Sequence, residues 1–246
     1  MMYKNILLTG STGHLGSAIK ESDKFQNILT PTRKVLDITN RETIEKFFQN
    51  NEIDAVIHCA ALARMKKCEE DPITALKTNV IGTNNLVKEV IKKEKNTQKQ
   101  IRFIQISTDG VYQGTRGNYS EDDATLPYNK YGWTKLGAEC VVQILSNFCI
   151  IRTSFFDPKN IKFNDAATDA YSSRVTIDYL VNAIKKMIEH DFIGIINIGD
   201  EKKSGYERYK EFKPLIKKCK FEDIQNYAQM PLAKDCSMNC NKWNSL

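Results

Sequence analysis

The chain has 246 residues, of which 41% are hydrophobic and 27% charged, and its formal net charge is +6. This composition predicts an ordinary folded protein that is long enough to bury a core. The lysine-rich runs contain no interleaved aromatic residues or arginine clusters, which argues against nucleic-acid binding. No apolar run approaches the roughly 18 residues that a membrane span needs. We therefore expect neither a nucleic-acid partner nor a membrane.

The seven cysteines are scattered along the chain. Cys59, Cys140 and Cys149 lie in apolar stretches, which indicates buried free thiols rather than disulfides. Cys236 and Cys240 form a C-x3-C pair without a partner histidine or a second cysteine pair, so we expect no metal site. The N-terminus lacks a signal-peptide pattern, and these features together predict a cytoplasmic protein.

Short apolar runs alternate with longer segments of helical periodicity along the chain. The predicted strands are 5–10, 27–30, 55–61, 102–108, 148–154 and 194–199. The predicted helices are 14–22, 41–50, 72–93, 131–145 and 177–190. Continuous Ile, Val and Leu in runs this short is typical of strands that are covered on both faces. The alternation predicts an α/β fold with a Rossmann-type, doubly wound parallel sheet.

The segment "TGSTGHLG" (9–16) joins the first predicted strand to the first predicted helix. Its glycines permit a tight turn, close approach of backbone amides to a pyrophosphate, and close packing of the helix on the strand. The alternative is a simple glycine-rich turn, but this spacing directly after an apolar strand favours dinucleotide binding. The predicted contacts are Gly10, Ser11, Thr12, Gly13, His14, Leu15 and Gly16.

The end of the second strand usually distinguishes NAD from NADP. An acidic residue there binds the ribose 2'-hydroxyl of NAD, whereas an arginine accommodates the 2'-phosphate of NADP. Thr32 and Arg33 follow this strand, and no acidic residue occurs before Asp37. NADP(H) is therefore favoured over NAD(H), although a surface role for Arg33 stays open. Asp37 and Ile38 are predicted to lie against the adenine ring.

Residues 1–153 are predicted to form the NADP-binding domain, which also receives the helix and strand of 176–199. Periodicity weakens and charge increases in 200–246. Residues 154–246 are predicted to supply a small C-terminal cap that binds the substrate. Ligands of doubly wound sheets bind at the carboxyl ends of the strands, where small and hydroxyl residues follow the strands of this chain.

A tyrosine and a lysine stand four residues apart at Tyr131 and Lys135, so they share one face of a predicted helix. The same spacing recurs in two other pairs, Tyr206/Lys210 and Tyr209/Lys213. We expect those pairs to lie on ordinary solvated helix, and we expect Tyr128 and Lys130 to be turn and surface residues. Spacing alone does not distinguish a catalytic pair, so the surrounding fold has to do so.

Several segments of the chain occur in the order typical of one enzyme family. They are the glycine loop, "VLDIT" (35–39), "CAALARMKKCEEDP" (59–72), "NVIGTNNL" (79–86), "STDGVYQG" (107–114), "YGWTKLGAE" (131–139) and "IIRTS" (150–154). Together they resemble the extended short-chain dehydrogenase/reductase family. Within it, the chain is most similar to the nucleotide-sugar 4-reductases of the dTDP-4-dehydrorhamnose reductase type.

The resemblance implies catalytic roles for Thr108, Tyr131 and Lys135. In the family, the tyrosine hydroxyl protonates the substrate carbonyl oxygen as hydride arrives from the nicotinamide. The lysine holds the nicotinamide ribose and lowers the tyrosine pKa through its positive charge, and the threonine hydrogen-bonds the same carbonyl oxygen. Judged alone, a threonine at the position of Thr108 is more often a simple turn cap than a catalytic residue.

The resemblance also implies cofactor contacts. Tyr131 and Lys135 are expected to contact NADP, and Ala60 and Ala61 match positions that lie along the cofactor. Asn79 matches a residue that steadies the active-site strand. Judged alone, an asparagine at the position of Asn79 is more often a helix residue that satisfies backbone groups than a functional residue.

Three residues at the end of the fourth predicted strand narrow the choice of reaction class within the family. Dehydratases of the family carry Thr-Asp-Glu there, whereas this chain has Thr108, Asp109 and Gly110. The missing glutamate argues against dehydration. Because Ser-Thr-Asp (107–109) is typical of the family's reductases, the resemblance makes reduction of the 4-keto group of a nucleotide-linked 4-keto-6-deoxyhexose, for deoxysugar synthesis, the leading hypothesis. A nucleotide-sugar epimerase and a non-catalytic NADP-binding regulatory subunit remain alternatives.

The segment after Ser154 is shorter than in these reductases, which implies a trimmed substrate region. Candidate substrate residues are Asp109, Arg152, Ser154, Phe155 and Arg174. An arginine near the pocket is suited to pairing with a substrate pyrophosphate, although ordinary salt bridges use the same residue types. The long helices 72–93 and 131–145 correspond to those that form dimer bundles in the family, so a homodimer is a further expectation.

Overall fold

The computed structural model describes residues 3–246 and contains one central sheet flanked by helices. The strands are β1 (Ile6–Thr9), β2 (Ile28–Leu29), β3 (Ala55–His58), β4 (Arg102–Ile106), β5 (Phe148–Thr153), β6 (Phe155–Phe156), β7 (Asp165–Ala167), β8 (Tyr171–Ser172), β9 (Val175–Thr176), β10 (Gly194–Ile198), β11 (Lys203–Ser204) and β12 (Lys217–Cys219). The helices are α1 (His14–Glu21), α2 (Arg41–Asn50), α3 (Met65–Glu70), α4 (Pro72–Leu76), α5 (Gly82–Thr97), α6 (Lys130–Val142), α7 (Ile177–Glu189), α8 (Gly205–Lys210), α9 (Phe221–Ala228) and α10 (Asn241–Asn244).

The central sheet has six parallel strands in the order β10-β5-β4-β3-β1-β2. The chain leaves β1 toward β2 and then returns to the other side of β1 with β3, so the strand order reverses at β1 and β3. This confirms the predicted doubly wound fold. Ligands of such sheets bind at the reversal, outside the carboxyl ends of the strands.

Both faces of the sheet are covered, which explains the continuous apolar runs. Leu8 and Ile57 belong to the hydrophobic cluster that packs against α1 and α7. Their neighbours Leu7 and Val56 belong to a second cluster, which includes residues of α2 and α5. Successive strand residues point to opposite faces of the sheet. Since both faces are covered, every residue of β1 and β3 is buried.

Helices α1, α2, α6 and α7 match the predicted helices to within three residues, and the clearest difference lies in the predicted helix 72–93. Helix α2 has its predicted bounds, and the Asn40 side chain caps it by accepting from the Glu42 amide. The predicted helix 72–93 extends to Thr97 and contains a π-helical turn, Lys77–Ile81, between α4 and α5. Helix α3 was not predicted. It is short and carries few apolar residues, so it has no clear helical periodicity.

Residues 154–246 form small sheets and short helices at the carboxyl edge of the main sheet. Strand β6 pairs with β9, β7 with β12, and β8 with β11. Helix α7 and strand β10 return to the main sheet, where β10 pairs with β5. The remaining short elements cover the carboxyl ends of the central strands.

The cysteines of the chain are all free thiols. Cys149 is buried and Cys59 is half-buried, whereas Cys140 is exposed on α6, so the predicted burial of Cys140 is wrong. Within residues 3–246, no group of three or more His, Cys, Asp and Glu side chains is arranged to hold a metal ion. No helix of the described part of the chain combines the length and the apolar character needed to cross a membrane.

Candidate active site

A cavity of about 820 Å³ lies at the carboxyl edge of the central sheet, between the sheet and the C-terminal elements. Many predicted site residues line it. They are Gly10, Gly13, His14, Leu15, Gly16, Ala61, Thr108, Asp109, Tyr131, Lys135, Ser154, Phe155 and Arg174. The other predicted residues lie outside the cavity lining. They are Ser11, Thr12, Thr32, Arg33, Asp37, Ile38, Ala60, Asn79 and Arg152.

The glycine loop forms the inner end of the cavity. Gly10 has a φ of +71°, and a Cβ atom there would lie 2.6 Å from the Ala60 nitrogen. A Cβ atom on Gly16 would lie 2.0 Å from the Gly10 carbonyl oxygen. Glycine is therefore required for the turn and for the close packing of α1, as the sequence predicts.

The residues after β2 lie beside the glycine loop. The Ser11 hydroxyl donates to the Pro31 carbonyl oxygen at 3.2 Å, which ties the loop to this segment. Arg33 is largely exposed, and its Nε donates to Asp37 Oδ2 at 2.9 Å. Burial opposes ionisation of Asp37, but hydrogen bonds from Thr39 and Arg33 lower its pKa below the usual value. Arg33 and Asp37 therefore form a surface ion pair next to the loop.

The predicted catalytic residues converge because α6 begins directly against the turn after β4. Asn129 caps α6, since its Oδ1 accepts from the Gly132 amide at 2.8 Å. A Cβ atom on Gly132 would lie 2.2 Å from the Gly110 carbonyl oxygen, so only glycine permits this contact. Tyr131 is thereby placed in the first turn of α6, facing the cavity with Thr108.

Lys135 lies one turn further along α6 and is buried. Its Nζ donates to the Ile106 carbonyl oxygen, at the end of β4, at 2.6 Å. Burial lowers the pKa of Lys135 to about 8, and the nearby Glu139 carboxylate opposes this shift. The ammonium group is thus fixed in the wall of the cavity by the end of the sheet.

The pKa of Tyr131 departs from the sequence prediction. Burial raises it above the usual value, the Asp109 and Cys68 side chains raise it further, and only a hydrogen bond with Thr108 lowers it. Lys135, whose ammonium group donates to the Ile106 carbonyl oxygen, is not among the groups that shift this pKa. A tyrosine with a raised pKa stays protonated, and this form donates a proton.

Arg152 does not line the cavity, so its assignment as a substrate residue is wrong. It is buried, and its Nη2 donates to Glu139 Oε2 at 2.8 Å. Its Nη1 donates to the Tyr112 hydroxyl at 2.9 Å. The Ser107 hydroxyl also donates to Glu139. The guanidinium group therefore holds α6 against β5, and the Ser107 hydroxyl ties the same carboxylate to the residue before Thr108.

Asn79 lies behind the cavity wall and connects two of its parts. Its Oδ1 accepts from the Leu62 amide at 2.7 Å, and its Nδ2 donates to Thr134 Oγ1 at 2.8 Å. Leu62 belongs to the loop after β3, and Thr134 lies on α6. Asn79 thus supports the loop and the Tyr131 helix rather than facing the cavity.

The outer wall of the cavity contains charged and phenolic groups, of which Arg174 was predicted from the sequence and the others were not. Tyr128 and Tyr209, which were expected at the surface, both line the cavity. Arg174 Nη1 donates to the Tyr209 hydroxyl at 2.5 Å. Arg208 is buried, and its Nη1 donates to Asp200 Oδ2 at 3.2 Å. The Nε atoms of both arginines are buried without a partner in the described chain, so each retains a free donor.

Much of the remainder of the outer wall is apolar. It is lined by Phe163, Phe221, Ile224, Tyr227, Ala228, Met230 and Leu232. The spacing of Phe221, Ile224 and Tyr227 along α9 was the available sequence signal, since residues three apart share one helix face. No pattern within the sequence connects α9 to the glycine loop, because the two meet only through the fold.

A model of the family described as RmlD substrate binding domain matches residues 4–170. The dTDP-4-dehydrorhamnose reductase of Mycolicibacterium smegmatis is 31% identical over 160 residues, which cover 63% of this chain and 46% of that protein. Methionine adenosyltransferase 2 subunit beta of Mus musculus is 30% identical over 148 residues, which cover 56% of this chain and 42% of that protein. The chain spans about half the length of these curated relatives.

The fold is also similar to that of a solved structure. The dTDP-4-dehydrorhamnose reductase of Bacillus anthracis, solved in complex with NADP, superposes with a TM-score of 0.85 at 24% identity. The superposition covers 99% of this chain and 93% of that chain. It therefore extends through the C-terminal elements, for which the sequence indicated a trimmed substrate region.

Proposed function

The chain belongs to the RmlD substrate binding domain family, and from that premise we propose that it is an NADPH-dependent oxidoreductase. Its proposed reaction is reduction of the 4-keto group of a nucleotide-linked 4-keto-6-deoxyhexose, in deoxysugar synthesis. The observation that carries the proposal is the single cavity that contains the glycine loop, Thr108, Tyr131 and Lys135. A similar reductase has been solved with NADP.

The residues of this chain fit a bound dinucleotide. Gly10 and Gly16 leave no room for side chains, so backbone lines the inner end of the cavity. Lys135 lies in the wall between this end and Tyr131 and carries a buried ammonium group. We propose that the glycine loop binds the pyrophosphate, that Lys135 binds the nicotinamide ribose, and that the exposed Arg33 binds the 2'-phosphate.

When bound, NADPH would supply the hydride for C4 of the sugar. Tyr131 donates its phenolic proton to the carbonyl oxygen, so the C=O bond becomes C–OH and NADP⁺ is released. The raised pKa of Tyr131 supports this direction, since reduction needs the protonated phenol. Thr108 stabilises the oxygen as charge develops on it. Lys135 supplies a buried positive charge in the wall of the same cavity.

The outer wall supports a nucleotide-linked substrate. Arg174 and Arg208 each keep a buried Nε donor without a partner, which suits the oxygens of a diphosphate. Aromatic side chains such as Phe163, Phe221 and Tyr227 line the region beyond them. Flat aromatic surfaces suit a nucleoside base. Asp109, Ser154 and Phe155 are proposed sugar contacts between the two walls.

A panel of dTDP-, UDP- and GDP-linked 4-keto-6-deoxyhexoses tests the proposal. Each sugar is mixed with NADPH, and cofactor oxidation is followed by absorbance. We expect oxidation with at least one nucleotide series. Cofactor binding without turnover of any sugar would contradict the proposal. An epimerase would instead retain its cofactor through purification and cause no net oxidation of added NADPH.

The similarity to methionine adenosyltransferase 2 subunit beta favours one alternative, a regulatory subunit that binds NADP without catalysis. Thr108, Tyr131 and Lys135 together in the cavity argue against this alternative. A Tyr131→Phe variant distinguishes the two functions. If the protein is a regulatory subunit, the Tyr131→Phe variant should keep every measurable property of the wild type.

We also propose a homodimer and a cytoplasmic location. Ile73, Leu76, Ile81 and Trp133 expose large apolar surfaces on α4, the π-helical turn and α6, with exposed fractions between 51% and 78%. These helices pack together, so the side chains offer one face to a second copy. Light scattering of the purified protein measures the mass in solution. The free cysteines support a reducing compartment, and a tagged copy would be located by cell fractionation.

A further inference from the structure

A buried histidine that the proposed chemistry does not use lies directly behind the glycine loop. His58 is the last residue of β3 and is 1% exposed. Its Nδ1 lies 2.6 Å from Thr9 Oγ1, and its Nε2 lies 3.0 Å from Thr83 Oγ1. Burial lowers the pKa of His58 to about 3, and the charge on Lys135 lowers it further, so the imidazole is neutral. A neutral imidazole has one donor nitrogen and one acceptor nitrogen.

The neighbouring groups determine which nitrogen carries the proton. Thr83 Oγ1 lies 2.7 Å from the Asn79 carbonyl oxygen, which only accepts hydrogen bonds, so Thr83 is the donor. Thr83 Oγ1 must then accept from Nε2–H of His58. Nδ1 of His58 is left as the acceptor of the Thr9 hydroxyl proton. Thr9 Oγ1 in turn accepts from the Ala60 amide at 3.3 Å. Only the tautomer with its proton on Nε2 gives every donor of this buried hydrogen-bond chain an acceptor.

The two ends of this hydrogen-bond chain lie at the two parts of the proposed active site. At one end, Thr9 precedes Gly10, and the Ala60 backbone approaches Gly10 so closely that a Cβ atom would clash. At the other end, the Asn79 side chain binds Thr134 on α6, and the Thr134 hydroxyl donates to the Tyr131 carbonyl oxygen at 2.8 Å.

Asn79 lies in the π-helical turn, where the regular helix is interrupted. Such turns are rare and occur frequently at functional sites. The turn brings the Asn79 carbonyl oxygen to Thr83 and its side chain to Leu62 and Thr134. The backbone carbonyl and the side-chain amide of Asn79 thus connect the hydrogen-bond chain of His58 to α6, the helix that carries Tyr131.

We propose that His58, as the Nε2–H tautomer, is a positioning residue that fixes the glycine loop relative to the Tyr131 helix. It touches neither substrate nor cofactor. It acts through Thr9 on the loop and through Thr83 and Asn79 on the helix. This positioning role rests on the proposed function, whereas the tautomer of His58 is a property of the folded chain alone.

The tautomer is measured directly by nitrogen-15 NMR of the imidazole rings. The chain has three histidines, so the loss of one signal set in a His58→Asn variant assigns the resonances. We expect a protonated Nε2 and an unprotonated Nδ1 for His58, without titration between about pH 5 and pH 8, because its pKa is about 3. An Nδ1–H tautomer, or titration in this range, would overturn the proposal.

Two substitutions of His58 and one control separate positioning from plain stability. His58→Leu leaves the buried Thr9 hydroxyl without its acceptor, and we expect the dissociation constant for NADPH to rise about ten-fold or more. His58→Asn places an oxygen near the position of Nδ1, and we expect it to recover most of that loss. Ile57→Ala removes a buried side chain from the same strand. It should lower the unfolding temperature and leave NADPH binding within about two-fold.

Equal NADPH dissociation constants for His58→Leu and Ile57→Ala would overturn the proposal, as would a His58→Asn variant that recovers nothing. Unfolding temperatures of the variants show whether each one is folded. The NMR and binding measurements need no sugar turnover. A wild-type chain that binds NADPH but turns over no keto sugar would therefore contradict the proposed function and leave the test of His58 intact.

Discussion

The sheet-side wall of the cavity consists of backbone turns and buried polar groups, whereas the cap-side wall consists of aromatic and aliphatic side chains around two arginines. On the sheet side, Lys135 is fixed to the end of β4 and Thr108 to its own turn. On the cap side, Arg174 and Arg208 keep unpaired donors. The difference supports the proposal that residues of the sheet side carry out the chemistry and residues of the cap side bind the substrate. Substitutions on the two sides should then affect different kinetic constants.

Removing the phenolic hydroxyl of Tyr131 should have the largest effect on the rate. Tyr131→Phe should lower kcat by about 10²–10⁴-fold, because the proton donor is lost, while NADPH binding stays the same. Steady-state kinetics and fluorescence titration measure the two quantities. Tyr206→Phe is the matched control, since Tyr206 has the same spacing to Lys210 but lies outside the cavity. Equal kcat values for the two variants would contradict a catalytic role.

Arg152 and Arg174, both arginines near the site, should respond differently to loss of charge. Arg152→Met leaves the buried Glu139 carboxylate without its partner and should lower the free energy of unfolding by about 3–5 kcal/mol. Denaturant titration measures this loss. Replacing both members, in Arg152→Met/Glu139→Leu, should recover part of the stability. A stable single variant with impaired substrate binding would return Arg152 to the substrate site.

Arg174→Met should instead preserve folding and weaken substrate binding. Loss of a charge-assisted hydrogen bond to a diphosphate should raise KM for the nucleotide sugar by about 10–100-fold, with a much smaller change in kcat. The same variant should bind NADPH as well as the wild type. An unchanged KM would remove Arg174 from the cap-side recognition surface.

Substitution of Arg33 tests whether this residue determines the preference for NADPH over NADH. Arg33→Ala should lower the preference for NADPH over NADH by about ten-fold, because the 2'-phosphate loses its charged partner. Stability should barely change, since the ion pair with Asp37 is at the surface. The ratio of kcat/KM for the two cofactors measures the effect. A constant ratio would leave Arg33 as a surface residue only.

Titration of Lys135 should have a smaller effect, which is measured through the pH dependence of the rate. Its pKa of about 8 means that the ammonium group is present below pH 8 and lost above it. The rate of reduction should therefore be constant below pH 8 and fall above it, while Tyr131 stays protonated. The Glu139 charge raises the pKa of Lys135, so Glu139→Gln should move the fall to lower pH. A shift to higher pH would contradict this account.

The sheet-side wall could be predicted from the sequence because its residues follow strand ends in local motifs. Thr108 follows β4, and Tyr131 and Lys135 share one face of a helix that begins at a recognisable asparagine cap. Their order along the chain places them at one edge of a parallel sheet. The pKa of Tyr131 could not be predicted, because it depends on burial and on the position of Asp109.

Arg174 was predicted, but most of the cap-side wall could not be, because its members come from distant segments without periodicity. Tyr209 was expected on a solvated helix, yet it binds Arg174, which lies 35 residues earlier. Arg152 was wrongly placed in the cavity because only the fold brings Glu139 opposite it. Such pairings follow from tertiary contacts that leave no pattern in the local sequence.

Deuterium transfer tests the central claim most directly. The wild-type chain is incubated with NADPH that carries deuterium at the transferable position of the nicotinamide, together with the keto sugar that turns over best. The account predicts that NMR and mass spectrometry of the product locate one deuterium at C4 of the sugar, and that Tyr131→Phe greatly slows its appearance. A product without deuterium at C4, or a sugar altered without oxidation of NADPH, would contradict the account.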